Sequence, residues 1–212
     1  MPPAPSTQPA WLEWSRDLQA IAQNGLHFCK DPYDRQRFEA VRDIAAQMMA
    51  AGSGHPIDLI AGLFAAQSGY ATPKIDVRGV VFRNDEILLV REAQDNLWTL
   101  PGGWADPNES PSESVTREVF EESGFTTRAT KLLAVLDREK HPHTPSFPFH
   151  IYKLFIRCEI QSGQPTPSIE TSEVAFFPET RIPDLSISRV TPGQIARCFQ
   201  HLRHPDLPAD FD

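Results

Sequence analysis

Three glutamates, Glu118, Glu121 and Glu122, crowd into the end of the stretch GGWADPNESPSESVTREVFEESGF, residues 102–125. Ser110, Pro111 and Glu113 have the pattern of a helix start, in which Ser caps, Pro suits the first helical position and Glu reaches back to the cap. Gly124 supplies the stop. The spacing therefore predicts a helix over residues 111–123. At about 100° per residue, Val115 and Val119 share a core-facing stripe, Glu118 and Glu122 lie beside it, and Glu121 lies one step further round. Glu118 then meets Glu121 and Glu122 at contact spacing, each like-charge pair costing roughly 0.2–0.5 kcal/mol. The negative end of the helix dipole adds about 0.3–1 kcal/mol for each glutamate in the last turn. Left alone, the cluster is unfavourable by on the order of 1–3 kcal/mol. A hard divalent cation such as Mg²⁺ reverses that sign, because it prefers oxygen ligands and tolerates dense negative charge. A solvated acidic face is the plainer alternative for any one of the three.

The residues around the cluster extend the chemistry. Gly102 and Gly103 leave bare backbone after a strand, so that a carbonyl can approach an ion and amides a ligand. Arg117 lies beside Glu121 and one turn from Glu113, placed to hold carboxylates. Trp98 and Trp104 flank the glycines and could stack a nucleobase or cap the core. Arg78 and Arg91 are strand-end cations that could meet phosphates or a ribose. His141, His143 and His150 invite a zinc reading, against which stand Pro142 and the lack of a nearby Cys; a substrate contact or plain loop structure are the other readings of His141 and His143.

The elements that must position these groups follow from composition and periodicity. The chain has 212 residues, 40% apolar and 23% charged, with a formal net charge of −8, an ordinary soluble composition that gives no support to wholesale binding of a phosphate backbone. It lacks a membrane-length apolar run and a secretory signal pattern at its start, so the cytoplasm is the expected location. Cys29, Cys158 and Cys198 fit neither a disulfide framework nor a zinc site. Residues 1–10 read as a disordered lead. Residues 11–70 carry three amphipathic helical patterns, with Trp11, Trp14, Leu18, Ile21 and Ala22 in the first, Phe38, Val41, Ile44, Ala45, Met48 and Met49 in the second, and Ile60, Leu63 and Phe64 in the third. From Lys74 the texture turns to short strands, KIDVRGVVF and EILLV joined by Asn84-Asp85, then LWTLP, and after the glutamate helix further strands near 125–137, 147–159 and 173–178. Thr191, Pro192 and Gln194 open a last helix with Ile195, Cys198, Phe199 and Leu202 on its buried face. Residues 205–212 read as a flexible tail. The expected class is α+β.

The arrangement Gly103, five residues, Glu109, seven residues, then REVFEESGF from Arg117 to Phe125 resembles, without departure, the signature box of the Nudix hydrolases. That resemblance implies an α/β/α sandwich with a mixed sheet over about residues 74–204, preceded by a small all-helical domain. It implies that Glu118 and Glu122 are direct ligands of Mg²⁺ or Mn²⁺ with the Gly102 carbonyl, that Glu121 is a further ligand or base, and that Glu109, Arg117 and Gly103 support them. A base from a later segment is also implied, with Glu173, Glu170 and Glu139 as candidates. The helical region, with WTLPGGWAD and HPHTPSFPFHIYKLF, looks like a two-part group that resembles ADP-ribose and CDP-choline pyrophosphatases. The implied reaction is hydrolysis of a nucleoside diphosphate linked to another moiety, by a homodimer. RNA-end or RNA-strand processing is an alternative, disfavoured because residues 1–70 hold five Lys or Arg against seven Asp or Glu. The other is a non-catalytic nucleotide sensor, which has no need to keep all three glutamates.

Overall fold

The structure, a computed structural model, describes residues 9–212. The lead expected over residues 1–10 therefore lies outside the described residues up to residue 8, and Ala10 already begins a helix. The chain divides into two compact units, the first running to Pro73 and including Ser146–His150, the second comprising Lys74–Pro145 and Ile151–Asp212.

The first unit consists of α1 (Ala10–Phe28), α2 (Pro32–Ser53) and α3 (Ile57–Ala65). The Asp31 side chain caps α2 by accepting from the N–H groups of Tyr33 and Asp34, and Pro32 follows at the first helical position. Leu12, Ala45, Ala46, Met49, Ile60 and Phe64 form the core, and Phe149 packs against it. This burial explains why no strand starts at 147: the Ser146–His150 segment belongs to the helical unit, and the strand begins at Ile151. The buried face of α1 is Leu12, Ser15, Gln19 and Ala22, rotated from the aromatic stripe expected from periodicity. Close helix approach is the cause. The Phe38 ring lies over Gly25 and the Trp11 ring over Gly52, where a Cβ would collide with either ring, and the Ser15 hydroxyl donates to the Ala45 carbonyl at 2.8 Å. Small residues take the seam, and Trp14, Ile21 and Ile44 are left exposed.

The second unit is built on β1 (Lys74–Arg83), β2 (Glu86–Glu92), β3 (Trp98–Thr99), α4 (Pro111–Ser123), β4 (Phe125–Asp137), β5 (Ile151–Gly163), β6 (Thr171–Pro178), α5 (Pro192–Arg203) and β7 (Asp210–Phe211). The sheet runs β3-β2-β1-β5-β4-β7, with β6 on β2; β1 and β5 are parallel, and β1 and β2 antiparallel. Asn84 and Asp85, both at positive φ, make the tight turn of that hairpin. Strand alternation sorts the core onto two faces. Val77, Val81, Leu88 and Ile156 pack on Val115 and Val119 of α4, while Val80, Ile87, Leu89 and Phe155 pack on Ile195, Cys198 and Phe199 of α5. No helix among the described residues is long and apolar enough to cross a membrane.

The tail is tied down, contrary to expectation. β7 pairs with β4, and Asp210 receives Arg197 and His201 from α5. Arg197 and the buried His201 thus give the last residues a dock on α5 that their own composition did not reveal.

At the centre of the sheet lies a buried charge cluster. Asp76 and Arg78 are two apart on β1 and so share a face, and the parallel register sets Lys153 of β5 beside Asp76. Arg78 grips both Asp76 oxygens at 2.9 and 2.7 Å, Lys153 Nζ donates to Asp76 at 2.6 Å, and Arg78 Nη1 donates to the Leu100 carbonyl at 3.2 Å. Burial alone would raise the Asp76 carboxyl, but the two cations outweigh it and hold it at about 2. Burial pushes Lys153 down to about 8 against the attraction of Asp76. Because the Asp76 pKa is lowered on folding, its stabilisation is complete above about 3.8 and fades as pH falls through about 2. Asp76→Asn leaves two buried cations unmatched and is expected to cost roughly 3–5 kcal/mol at neutral pH. Urea denaturation of the variant beside wild type measures that gap, which should narrow toward pH 2; a variant of unaltered stability refutes this role.

Candidate active site

The glutamate helix begins and ends where its caps dictate. The Ser110 hydroxyl accepts from Glu113 N–H, the Glu113 carboxylate accepts from Ser110 N–H at 2.8 Å, and Gly124 closes the helix in the left-handed conformation. The chain from Pro101 to Ala105 runs along β1: Gly79 N–H donates to the Pro101 carbonyl, Val77 N–H to Gly103 and Ala105 N–H to Ile75. The Gly102 carbonyl takes no part in this pairing. Gly102 has φ of 144°, and a Cβ there would strike the Val77 carbonyl, so only glycine lets the loop lie this close to the strand.

Glu122 is 5% exposed and accepts from Gly102 N–H at 2.9 Å. Burial pushes its carboxyl up to about 8, with Arg78 and the Gly102 amide opposing that rise. Glu118 faces the same loop, since a Cβ on Gly103 would lie 3.0 Å from Glu118 Oε2; burial raises this carboxyl too, against the pull of Arg117. Arg117 clamps carboxylates, Glu121 among them as its position beside that residue suggested, but not Glu113. It binds Glu109 at 2.9 and 3.1 Å, Glu118 and Glu121 at 2.9 Å, and Asp106 at 3.3 Å, while Glu113 is spent on the cap. These hydrogen bonds raise the guanidinium pKa and lower that of Glu109.

The expected convergence of the three carboxylates on one point is not seen. Among the described residues no group of three or more acidic, His or Cys side chains forms a metal cage. Glu118 and Glu121 turn to Arg117, and Glu122 turns to Gly102. Repulsion is relieved instead by one shared guanidinium and by the raised pKa of Glu122. The donor set nevertheless suits a hard cation: Glu118 and Glu122 both face the Gly102–Gly103 loop, and all the side-chain donors are carboxylate oxygens.

Several other residues lie elsewhere than expected. Arg78 is buried on Asp76 and backs the site as a counter-charge instead of meeting substrate. Trp98, partly buried, takes the core-capping one of its two expected readings, edge-on to Phe177 at 4.8 Å between centroids. Trp104, 45% exposed, follows the glycines and bridges to Asp76 through the backbone. Arg91 and Glu173 lie opposite each other on β2 and β6 and ion-pair at 2.6 Å. Glu139 pairs with Arg138 in the turn after β4. The Glu170 carbonyl accepts from Ala93 N–H, and its charge helps raise the buried Glu92. His141 approaches Asp212 at 3.3 Å.

His143 is structural. Its Nδ1 lies 2.8 Å from the Ile187 carbonyl and its Nε2 3.1 Å from the Gln194 amide nitrogen. Gln194 Oε1 already accepts from Thr191 N–H, so the Gln194 amide donates to Nε2 and the imidazole proton resides on Nδ1. Burial drives its pKa down to about 3. His150 belongs to the helical unit.

Asp76, Lys153, Glu92 and Thr171 were missed from sequence. The first two support Arg78; Glu92 binds Arg189 at 3.0 Å; Thr171 donates to the Glu122 carbonyl at 2.7 Å and so helps finish the helix. The readable signal was opposite charge at i and i+2 within the strand KIDVRGVVF.

Comparisons with known proteins agree with this geometry. The NUDIX domain profile matches residues 72–195, and a profile for a UDP-X-like N-terminal oligomerisation domain matches residues 9–64. YjhB of Bacillus subtilis (strain 168), provisionally named an ADP-ribose pyrophosphatase, is 51% identical over 205 residues, covering 97% of this chain and 98% of that protein. The crystal structure of a UDP-X diphosphatase has a TM-score of 0.62 at 30% identity, with 95% of this chain and 98% of that one covered. An ADP-ribose pyrophosphatase from Streptococcus suis 89-1591 has a TM-score of 0.61 at 37% identity, covering 66% of this chain and 100% of that one. With its glutamate helix, its Gly-Gly loop and its helical leader matched across nearly the whole length of such relatives, the chain belongs to the Nudix hydrolase family.

Proposed function

We propose that this Nudix hydrolase cleaves the diphosphate bridge of a nucleoside diphosphate joined to a second moiety, of the ADP-ribose or CDP-choline type, with Mg²⁺ or Mn²⁺. The products are a nucleoside monophosphate and a phosphorylated remainder. The observation that carries this reading is the facing of Glu118 and Glu122 toward the Gly102–Gly103 loop. The names of the Bacillus subtilis relative and of the UDP-X diphosphatase support this substrate class.

Glu118, Glu122 and the Gly102 carbonyl would hold the cation, with Glu121 as a further ligand or as the base. When bound, the cation neutralises pyrophosphate oxygens and acidifies water for attack. Glu121, exposed at the helix end, accepts the proton from the attacking water in this scheme. Arg117 holds Glu109, Glu118 and Glu121 in place. Trp104, beside the loop, offers a ring for the nucleobase.

Glu122→Gln separates function from stability. Loss of this carboxylate should remove roughly 3–4 kcal/mol of transition-state stabilisation, about 10²–10³ in kcat. Metal-free stability should move the other way. The wild-type carboxyl has its pKa raised from 4.5 to about 8 by folding, so its stabilisation is complete below about 4.5 and lost as pH rises through 8. In chelator at pH 9, about one unit above that pKa, the variant should therefore melt higher than wild type. Unchanged turnover would remove Glu122 from the mechanism. The reaction itself is checked with ADP-ribose, CDP-choline, dinucleotides, nucleoside triphosphates and short RNA in Mg²⁺ or Mn²⁺, identifying products by phosphorus NMR. Cleavage confined to triphosphates or RNA overturns the proposed substrate class.

The protein acts as a homodimer in this proposal. Trp14, Ile21 and Phe28 recur every seventh residue on α1 and are exposed, Trp14 by 59%, giving one apolar stripe for a second copy. Trp14→Glu combined with Ile21→Glu should halve the mass in light scattering while far-UV circular dichroism stays constant. Wild type already at monomer mass, or a double variant that stays dimeric, refutes the stripe as the interface.

A further inference from the structure

The glutamates sit at the C-terminal end of α4, where a helix leaves its last carbonyls without partners of its own. The segment joining β5 to β6 supplies donors for two of them. Thr166 N–H donates to the Ser123 carbonyl at 2.9 Å, and the hydroxyl of Thr171, the first residue of β6, donates to the Glu122 carbonyl at 2.7 Å. The approach is close: a Cβ on Gly163 would lie 2.3 Å from the Gly124 carbonyl oxygen.

Thr171 is fully buried, so it meets no substrate and can act on the reaction only through Glu122. Its hydroxyl has a single proton, which the Glu122 carbonyl takes. The Ser168 hydroxyl therefore donates to Thr171 Oγ1 at 3.1 Å, as does the Ser168 N–H at 3.2 Å. Ser168 Oγ in turn accepts from the N–H groups of Glu170 and Thr171, at 3.1 and 3.2 Å. These donors run in one direction and end on Glu122. The turn is itself fixed to the sheet: Thr171 lies opposite Glu92 in the pairing of β6 with β2, and Ala93 N–H donates to the Glu170 carbonyl at 2.8 Å. Glu122 is thus held twice, its main chain by Thr171 and its Oε2 by Gly102 N–H at 2.9 Å.

We propose that Thr171 is a positioning residue of the hydrolytic site, setting the direction in which Glu122 presents its carboxylate. The proposal rests on the reading of Glu122 as a cation ligand. A carboxylate in the last turn of a helix follows every rotation of that turn. With the Glu122 carbonyl tied to the sheet and Oε2 tied to the glycine loop, Oε1 is left pointing one way. Without the hydroxyl, the buried carbonyl loses its donor and the last turn shifts to recover one. A small misplacement of a group that organises a reaction is felt mainly in the chemical step, so the loss appears in kcat at saturating cation.

The test compares Thr171→Val, which keeps the shape of the side chain and removes the hydroxyl, with Thr171→Ser, which retains it. On the full chain and the diphosphate that wild type cleaves best, Thr171→Val should lower kcat about tenfold or more while KM stays within about twofold. Thr171→Ser should recover most of that loss. Calorimetric titration with Mn²⁺ alone should show affinity weakened about threefold or more in Thr171→Val and kept in Thr171→Ser. Circular dichroism at the assay temperature verifies the fold. Should Thr171→Val fail to fold, Ser168→Ala, at an exposed position, carries the test, with a loss in kcat of about threefold expected. The proposal is overturned by wild-type kcat or wild-type Mn²⁺ affinity in Thr171→Val, by wild-type kcat in Ser168→Ala where that variant stands in, or by a Thr171→Ser as impaired as Thr171→Val, which would assign the effect to packing. A wild type that neither takes up Mn²⁺ nor cleaves a diphosphate refutes the cation-ligand reading, and this proposal with it; a wild type that does both beside an unaffected Thr171→Val refutes the positioning role alone.

Discussion

Asp76 is the buried anion on which the catalytic unit is organised. A carboxylate out of water is tolerable only with close partners, and here one strand supplies Arg78 and its parallel neighbour supplies Lys153. The bidentate grip leaves Arg78 a single orientation, from which it also holds the Leu100 carbonyl. That bond fixes the entry to the glycine loop, the loop presents the Gly102 amide, and the amide holds Glu122. Two cations against one anion leave surplus positive charge in the interior. That surplus opposes the rise in the Glu122 pKa that burial imposes, so the same cluster that positions the carboxylate also keeps it ionisable.

The glutamate helix then shows a conflict between stability and chemistry. A helix built for stability alone would not place Glu118, Glu121 and Glu122 at its negative end. The chain disperses the strain: Arg117 gathers Glu109, Glu118 and Glu121, and burial biases Glu122 toward its neutral form. Arg117 is itself only half-buried, so its bonds can be exchanged for a stronger counter-charge at modest cost. Such local frustration is characteristic of sites kept for function at the expense of stability.

The legible and illegible parts of this structure divide by range. Both capping boxes, the helix stop at Gly124 and the Asn84-Asp85 turn are local rules, and α4 spans the residues that its caps marked. The roles of Arg78, Trp98 and His143 depend on partners 2, 79 and 51 residues distant. Sequence separation alone does not decide legibility, however. Asp76 is next but one to Arg78, and their pairing was missed because a charged dipeptide pattern in a strand reads as a solvent face until the sheet is known to be covered on both sides. The tail failed for a related reason: Asp210 finds Arg197 and His201 on a helix face that periodicity marks only as polar.

Helical periodicity fared worst where helices pack most closely. On α1 the rule that large apolar residues face inward selects Trp14 and Ile21, yet the seam with α2 is made by Leu12, Ser15, Gln19 and Ala22. Glycine at Gly25 and Gly52 brings the helices near enough for rings to lie on bare backbone, and at that distance a second row of aromatic side chains has no room. The displaced residues therefore line the outside. Toward the Gln19–Gln23 end the seam carries amides and guanidinium groups instead of methyl groups, and polar side chains of that length do not fill space as Leu or Met would. A cavity there, with the Gln19 amide oxygen unsatisfied among the described residues, follows from the same sequence choice that made the other end of the bundle tight.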